Sequence, residues 1–242
     1  MKILVFDIWA DYGHFKVPYT TSSPLTFPVP PKTALYGIIS AILGWDKESY
    51  LIHFQDELWQ FGIGIKNPIA TVYIPENFID TKRAKMFGRM PKNNPCRTQI
   101  NIEFIKNPYF RIYVSSKSNY LENLKNMIKE HKSVYSVSLG ISECLANFKY
   151  IGFYDFERKQ VNNEFVEIST IVPFKYLSDA SQIDFLQENR KFLKIHLPLE
   201  MKPDRELIKS EYFLVEANGN PIKIKNTDYY HVKDLNENIF LF

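Results

Sequence analysis

Apolar residues occupy both faces of the first strand-like run. In residues 2–9, Ile3, Val5 and Trp9 share one side, and Leu4, Phe6 and Ile8 the other. A strand that is apolar on both sides is covered on both sides, so this run predicts the centre of a sheet. Residues 11–29 mix Tyr, Thr, Ser and Pro without a period and predict a long loop. Pro30 and Pro31 then open a helix, because the missing proline N–H costs nothing in a first turn. That helix spans 32–43, is apolar almost all round and stops at Gly44, as expected of a helix packed on a sheet.

An amphipathic stripe predicts a second helix over 47–59, and a strand follows over 60–74 with a bend at Asn67–Pro68. Residues 76–99 carry no hydrophobic period and predict a long excursion between two strands. Strand signals resume at Ile100, Ile102 and Phe104, turn at Asn107–Pro108, and alternate from Tyr109 to Val114. Leu121, Leu124, Met127 and Ile128 form one stripe of a helix over 120–131, and 148–156 returns as a strand. The order predicts an α+β fold on a ferredoxin-like βαββαβ unit, residues 1–157, with an insertion at about 76–99. Short strand-like runs at 165–172, 194–197, 212–217 and 222–224 predict a small, mostly β subdomain over 158–242.

Composition narrows the class. Of 242 residues, 45% are hydrophobic and 24% charged, with nine Gly, which excludes disorder and collagen-like repeats. Cys96 and Cys144 form no CxxC pair and have no histidine at ligand spacing, so neither a zinc site nor a disulfide framework is expected. No carboxylate cluster suggests a divalent metal, and no cofactor is expected. The start MKILVFDIW is too short and too soon charged for a signal peptide, and the longest apolar run, 34–43, is far below a membrane span. A soluble, cytoplasmic protein with no membrane partner is expected.

Charge changes the picture more. From Lys82 to Lys132 there are 12 basic residues against Glu103, Glu122 and Glu130, a surplus of nine; the rest of the chain has six more acids than bases. Such polarity suits a polyanion on one side and protein neighbours elsewhere; a solvated basic loop is the plainer reading. The segment 81–98 holds Lys82, Arg83, Lys85, Arg89, Lys92 and Arg97 without an acid, around Met86, Phe87 and Met90. Cations neutralise phosphates and an apolar tip wedges between unstacked bases, whereas a loop that only stays soluble has no need of Phe and two Met.

Further candidates are shorter. Lys32 and Thr33 stand at a helix start, where peptide N–H groups attract anions. Gly37 would let a backbone approach; a surface lysine and a packing glycine are the alternatives. His14, Phe15 and Lys16, with Thr21 and Ser22 in the segment 19–23, combine stacking and phosphate-binding groups on one loop. Tyr135, Gly140 and Ser142 belong to a loop that reads as a phosphate nest or as an ordinary turn. Tyr109, Arg111 and Tyr113 suggest stacking on an open sheet, but the first strand implies that the sheet is covered, and the RNP-type signature is absent. Structural roles are preferred for these three.

The run ADYGHFKVPYTTSSPLTFPVPPKTALYGIISAILGW (10–45) resembles the opening of the Cas-five family, the RAMP-type subunit of type I CRISPR complexes. RTQINIEFIKNPYFRIYV (97–114) and YSVSLGISECLANF (135–148) resemble later parts in the family's order, and the whole looks nearest to subtype I-B. The resemblance implies a ferredoxin-like RNA-binding domain with a long thumb hairpin. It further implies a protein that caps the 5′ handle of CRISPR RNA and contacts a Cas-seven-type backbone subunit and a Cas-eight-type large subunit. Some relatives cut precursor CRISPR RNA without metal. Such cleavage needs a general base, a general acid and a cation. The five histidines make no diagnostic constellation; His14 with Lys16 or Lys32 is the best set, and no catalytic residue is assigned. The expectation is a binding subunit, with a metal-independent endoribonuclease as the alternative.

Overall fold

The computed structural model describes residues 1–20, 22–54, 59–79 and 97–242. The chain opens with β1 (Lys2–Ala10), β2 (Tyr12–Gly13), β3 (Phe15–Lys16) and β4 (Thr26–Phe27). Helix α1 (Lys32–Leu43) is followed by β5 (Trp59–Ile65), β6 (Ala70–Ile79), β7 (Arg97–Lys106), β8 (Tyr109–Ser116), helix α2 (Tyr120–Lys129) and the long β9 (Ala146–Val161). Beyond it come β10 (Val166–Ile168), β11 (Val172–Pro173), β12 (Phe192–Met201), β13 (Leu207–Glu216), β14 (Ile222–Ile224), β15 (Thr227–Val232) and β16 (Glu237–Ile239).

The main sheet has the order β16-β15-β9-β1-β8-β5. Its β9-β1-β8-β5 part is the antiparallel sheet of a ferredoxin-like fold, with β1 paired on both sides as its two apolar faces require. Leu4, Phe6 and Ile8 face α1 and α2, packing with Leu35, Ile39, Leu124 and Ile128 in the principal core. Ile3 and Val5 face the other way, into a second core with Tyr113, Phe156, Ile239 and Leu241.

That second core exists because the sheet curls shut. β16 pairs with β15 at one edge. Three residues on, Phe242 exchanges both backbone hydrogen bonds with Phe61 of β5, the opposite edge strand, at 3.0 and 2.9 Å. Residues 237–242 therefore link one edge to the other, and residues 169–171 help cover both, with the Ser169 amide on the Asn238 carbonyl and the Ile171 amide on the Ile63 carbonyl. Gly62 permits this: a Cβ there would lie 2.9 Å from the Phe240 carbonyl oxygen.

Inside the curl sits a charge cluster. Arg111 grips Asp7 with two hydrogen bonds, 2.8 and 3.1 Å, and donates a third, 3.1 Å, to Glu237. Tyr113 also donates to Glu237, and Tyr109 donates to Asp7 at 3.2 Å. Asp7 is only 3% exposed. Burial works against the Arg111 charge, but the Asp7 carboxylate outweighs it and the guanidinium pKa is raised. Burial and then Glu237 push the Tyr113 phenol well up. The structural roles expected for Tyr109, Arg111 and Tyr113 are the ones they have.

Two expectations change. The helix expected over 47–59 is, among the described residues, a 3-10 turn at Tyr50–Phe54, and Trp59 already opens β5. Leu51 and Phe54 are its buried pair, a spacing that suits an amphipathic helix equally well. Stacking of Trp45 on His53 and the bond from Trp59 Nε1 to the His53 carbonyl fix the tighter turn instead. The excursion is also shorter than read, since β6 and β7 pair out to Ile79 and Arg97. One face of this hairpin, with Val72, Ile74, Ile102 and Phe104, covers Cys144. Burial, and then Glu143, push that thiol up to about 11. From the C-terminal third, β15 and β16 extend the main sheet, while β11-β13-β12 and β10-β14 form small sheets of their own. No helix of the described residues is long and apolar enough to cross a membrane.

Arg111→Met is expected to leave Asp7 and Glu237 without their shared cation and to cost about 3–5 kcal/mol in urea unfolding. Cys144 is expected to resist alkylation. At pH 8 a thiol of pKa about 11 is about 0.1% thiolate, against roughly a quarter for an ordinary one. In a Cys96→Ser background, iodoacetamide labelling of the folded chain at pH 8 should run on the order of a hundredfold slower than in urea.

Candidate nucleic-acid interface

Helix α1 starts after Pro31, whose φ of −64° suits a first turn, and ends at Gly44, whose φ of 79° and bond to the Ser40 carbonyl make a left-handed cap. Leu35, Ile38, Ile39 and Ile42 face the sheet, which leaves Thr33, Ala34, Gly37, Ser40 and Ala41 along a different face. These small residues line a cleft of about 870 Å³. A Cβ on Gly37 would meet nothing within 4 Å, so open space there, and not packing, is what its missing side chain leaves.

Three other segments contribute to the cleft. Lys16 comes from β3, which ends the short loop after β2, and Tyr135 and Gly140 from the loop after α2. The second loop is pinned to the helix by the Tyr135 amide, which donates to the Ala41 carbonyl at 2.9 Å. It is pinned to the first loop by the His14 amide, which donates to the Leu139 carbonyl at 2.9 Å. Gly140 makes that contact possible: its φ is 98° and a Cβ would fall 1.9 Å from the His14 carbonyl oxygen. Trp45, Lys47 and Tyr50 line the far end of the helix, and Met201 and Arg205 come from the β12–β13 hairpin.

The electrostatics are one-sided. Lys16, Lys47 and Arg205 make no side-chain hydrogen bond or ion pair with the described residues. Asp46 is the single carboxylate lining the cleft among those residues. Tyr135 is half-exposed, and Trp45 and Tyr50 are partly so. Cations, aromatic rings and the first turn of a helix thus share one open channel.

The structure brings Lys16, Thr33, Gly37, Tyr135 and Gly140 together around this cleft. His14 borders it but is only 3% exposed. Its Nδ1 lies 2.7 Å from the Glu103 carbonyl oxygen, which can only accept, and its ring packs 5.5 Å from Phe104. Lys32 is buried and borders a different cleft, of about 420 Å³, with its ammonium 5.8 Å from the Phe61 ring centroid. His14 and Lys16 therefore border one cleft and Lys32 another. Ser142 is exposed and donates to the Glu143 carboxylate at 3.1 Å, Ser22 is exposed on its loop, and Arg97 stands exposed at the outer end of β7. Thr21, Lys82, Arg83, Lys85, Met86, Phe87, Arg89 and Lys92 lie outside the described residues. Trp45, Lys47, Tyr50 and Arg205 were not singled out from sequence. An aromatic-basic spacing marks the first three; Arg205 has no local signal. Among the described residues no group of three or more His, Cys, Asp or Glu could hold a metal ion.

Over residues 3–190 the chain matches the model of the family described as CRISPR-associated protein (Cas_Cas5). No curated protein matches its sequence. Among solved structures it is similar to a CRISPR protein from Archaeoglobus fulgidus, at 13% identity over 98% of this chain and 97% of that one, with a TM-score of 0.53. It is also similar to a chain of a CRISPR RNA-guided surveillance complex, at 9% identity over 92% of this chain and 91% of that one, with a TM-score of 0.54. At these identities the likeness is one of fold.

Gly140→Ala should force the two loops apart and lower stability by about 1–3 kcal/mol, since it adds both backbone strain and a clash. Ser142→Ala, two residues on, should stay within about 0.5 kcal/mol. Paired urea titrations compare them.

Proposed function

Because the chain belongs to the CRISPR-associated Cas5 family, we propose that it is the RNA-binding subunit of a type I surveillance complex and caps the 5′ handle of CRISPR RNA. The observation that carries this reading is the cleft beside α1, with cations that have no partner among the described residues, partly exposed rings and a helix start. Lysines neutralise phosphates and release counterions. Rings of the Trp45 and Tyr135 kind stack on unpaired bases, and the free N–H groups of a helix start favour an anion.

In this reading the β6–β7 hairpin is the base of a thumb. The cations Lys82, Arg83, Lys85, Arg89 and Lys92, with Met86 and Phe87, form its gripping end, and Arg97 stands where the second arm begins. The protein works in the cytoplasm in antiviral defence and joins a Cas-seven-type backbone subunit to a Cas-eight-type large subunit. The separation of Lys32 from His14 and Lys16, and the burial of His14, support binding over cutting.

Lys16→Glu with Lys47→Glu should weaken binding to handle-bearing RNA about tenfold or more. The log–log salt slope should flatten by about 1.4, two single-strand phosphate contacts. Charge reversal at Lys82, Arg83 and Arg89 should impair assembly with RNA; unimpaired assembly would count against the thumb. Discrete cleavage products from precursor RNA in EDTA would replace this reading with the endoribonuclease.

A further inference from the structure

We infer that Arg205, at the turn between β12 and β13, is a phosphate clamp for the RNA strand in the α1 cleft. The inference rests on the handle-binding reading above. It adds a binding residue from a hairpin that lies wholly beyond the family-matched residues 3–190.

Three observations carry it. First, the hairpin brings Met201 and Arg205 to the same cleft as Lys16 and Thr33, although about 170 to 190 positions separate them in the chain. Second, the charges around Arg205 are engaged. Lys202 and Glu206 pair with each other, and the Asp204 carboxylate accepts the Glu206 amide at 3.0 Å. The Arg205 guanidinium has no such partner among the described residues. Third, Arg205 has a φ of 69°, where glycine or asparagine is the low-strain choice and a long side chain is disfavoured. The turn is otherwise ordinary, closed by the Arg205 amide on the Lys202 carbonyl at 2.8 Å and the Lys202 amide on the Glu206 carbonyl at 2.9 Å. Nothing in its packing asks for arginine. A planar fork of donors that suits a phosphate does.

The left-handed backbone supplies a clean test. Arg205→Gly deletes the guanidinium while easing the turn, so a loss of binding cannot be blamed on a damaged fold. The full chain is titrated with CRISPR RNA transcribed from the repeats of its own genome, at several salt concentrations, beside thermal unfolding. Arg205→Gly is expected to keep or raise Tm, weaken RNA binding about three- to tenfold, and flatten the salt slope by about 0.7, one single-strand phosphate contact. Arg205→Lys should retain the slope. Lys209→Glu, a charge change on β13 beside the second cleft, should have less effect than Arg205→Glu. An Arg205→Gly slope and affinity equal to wild type overturn the clamp alone, as does a Tm that falls together with affinity. A wild-type chain that binds no RNA overturns the handle reading and the clamp with it.

Discussion

Strand β1 needs cover on both of its faces, and the rest of the molecule is arranged around meeting that need. The two helices shield one side, packing on Leu4, Phe6 and Ile8. The other side has no helix among the described residues; there the sheet bends round and residues 237–242 bridge its edges, enclosing Ile3 and Val5. A sheet used up in this way offers no open surface on which bases could stack. In the proposed reading, recognition therefore moves to the rim: the outer face of α1, the loops that dock beside it and the hairpin that extends from the sheet. The cleft is where it is because the sheet is closed.

Closure also explains why a charged cluster is tolerated in an apolar interior. Asp7, Arg111 and Glu237 come from the centre of the sheet, its neighbour and the bridging segment. A buried ion pair adds little net stability over an apolar pair of the same volume, but mispairing is heavily penalised. With Glu237 on the bridging strand, only one register lets both carboxylates reach the guanidinium, so the cluster selects the alignment in which the curl shuts.

How far the sequence foretells this depends on how local each signal is. The limits of α1 were legible because Pro31 and Gly44 act on the backbone directly. The central place of β1 was legible because both its faces are apolar. The turn at 50–54 was misread because Leu51 and Phe54 fit two periodicities, and the deciding contacts come from Trp45 and Trp59. The outer ends of the hairpin arms were hidden because β6 is exposed on both faces beyond Ile74. Within the cleft, Lys16, Thr33, Gly37, Tyr135 and Gly140 stood out through residue type and position. Arg205 did not, since only the folded chain carries it to α1; Lys32 borders the second cleft because a side chain at the first position of a helix can leave on either side.

The stitch between Phe61 and Phe242 has a consequence for biosynthesis. A ribosome delivers β5 long before it delivers Ile171 and Phe242, which will flank it, so until they emerge that strand has a bare rim beside two glycines. Ile171 reaches the Ile63 carbonyl first, and Phe242, about 180 positions downstream of Phe61, completes the edge. The nascent protein thus passes through a stage with an unzipped sheet, open to pairing with foreign strands, and residues 237–242 act as the clasp that ends that exposure.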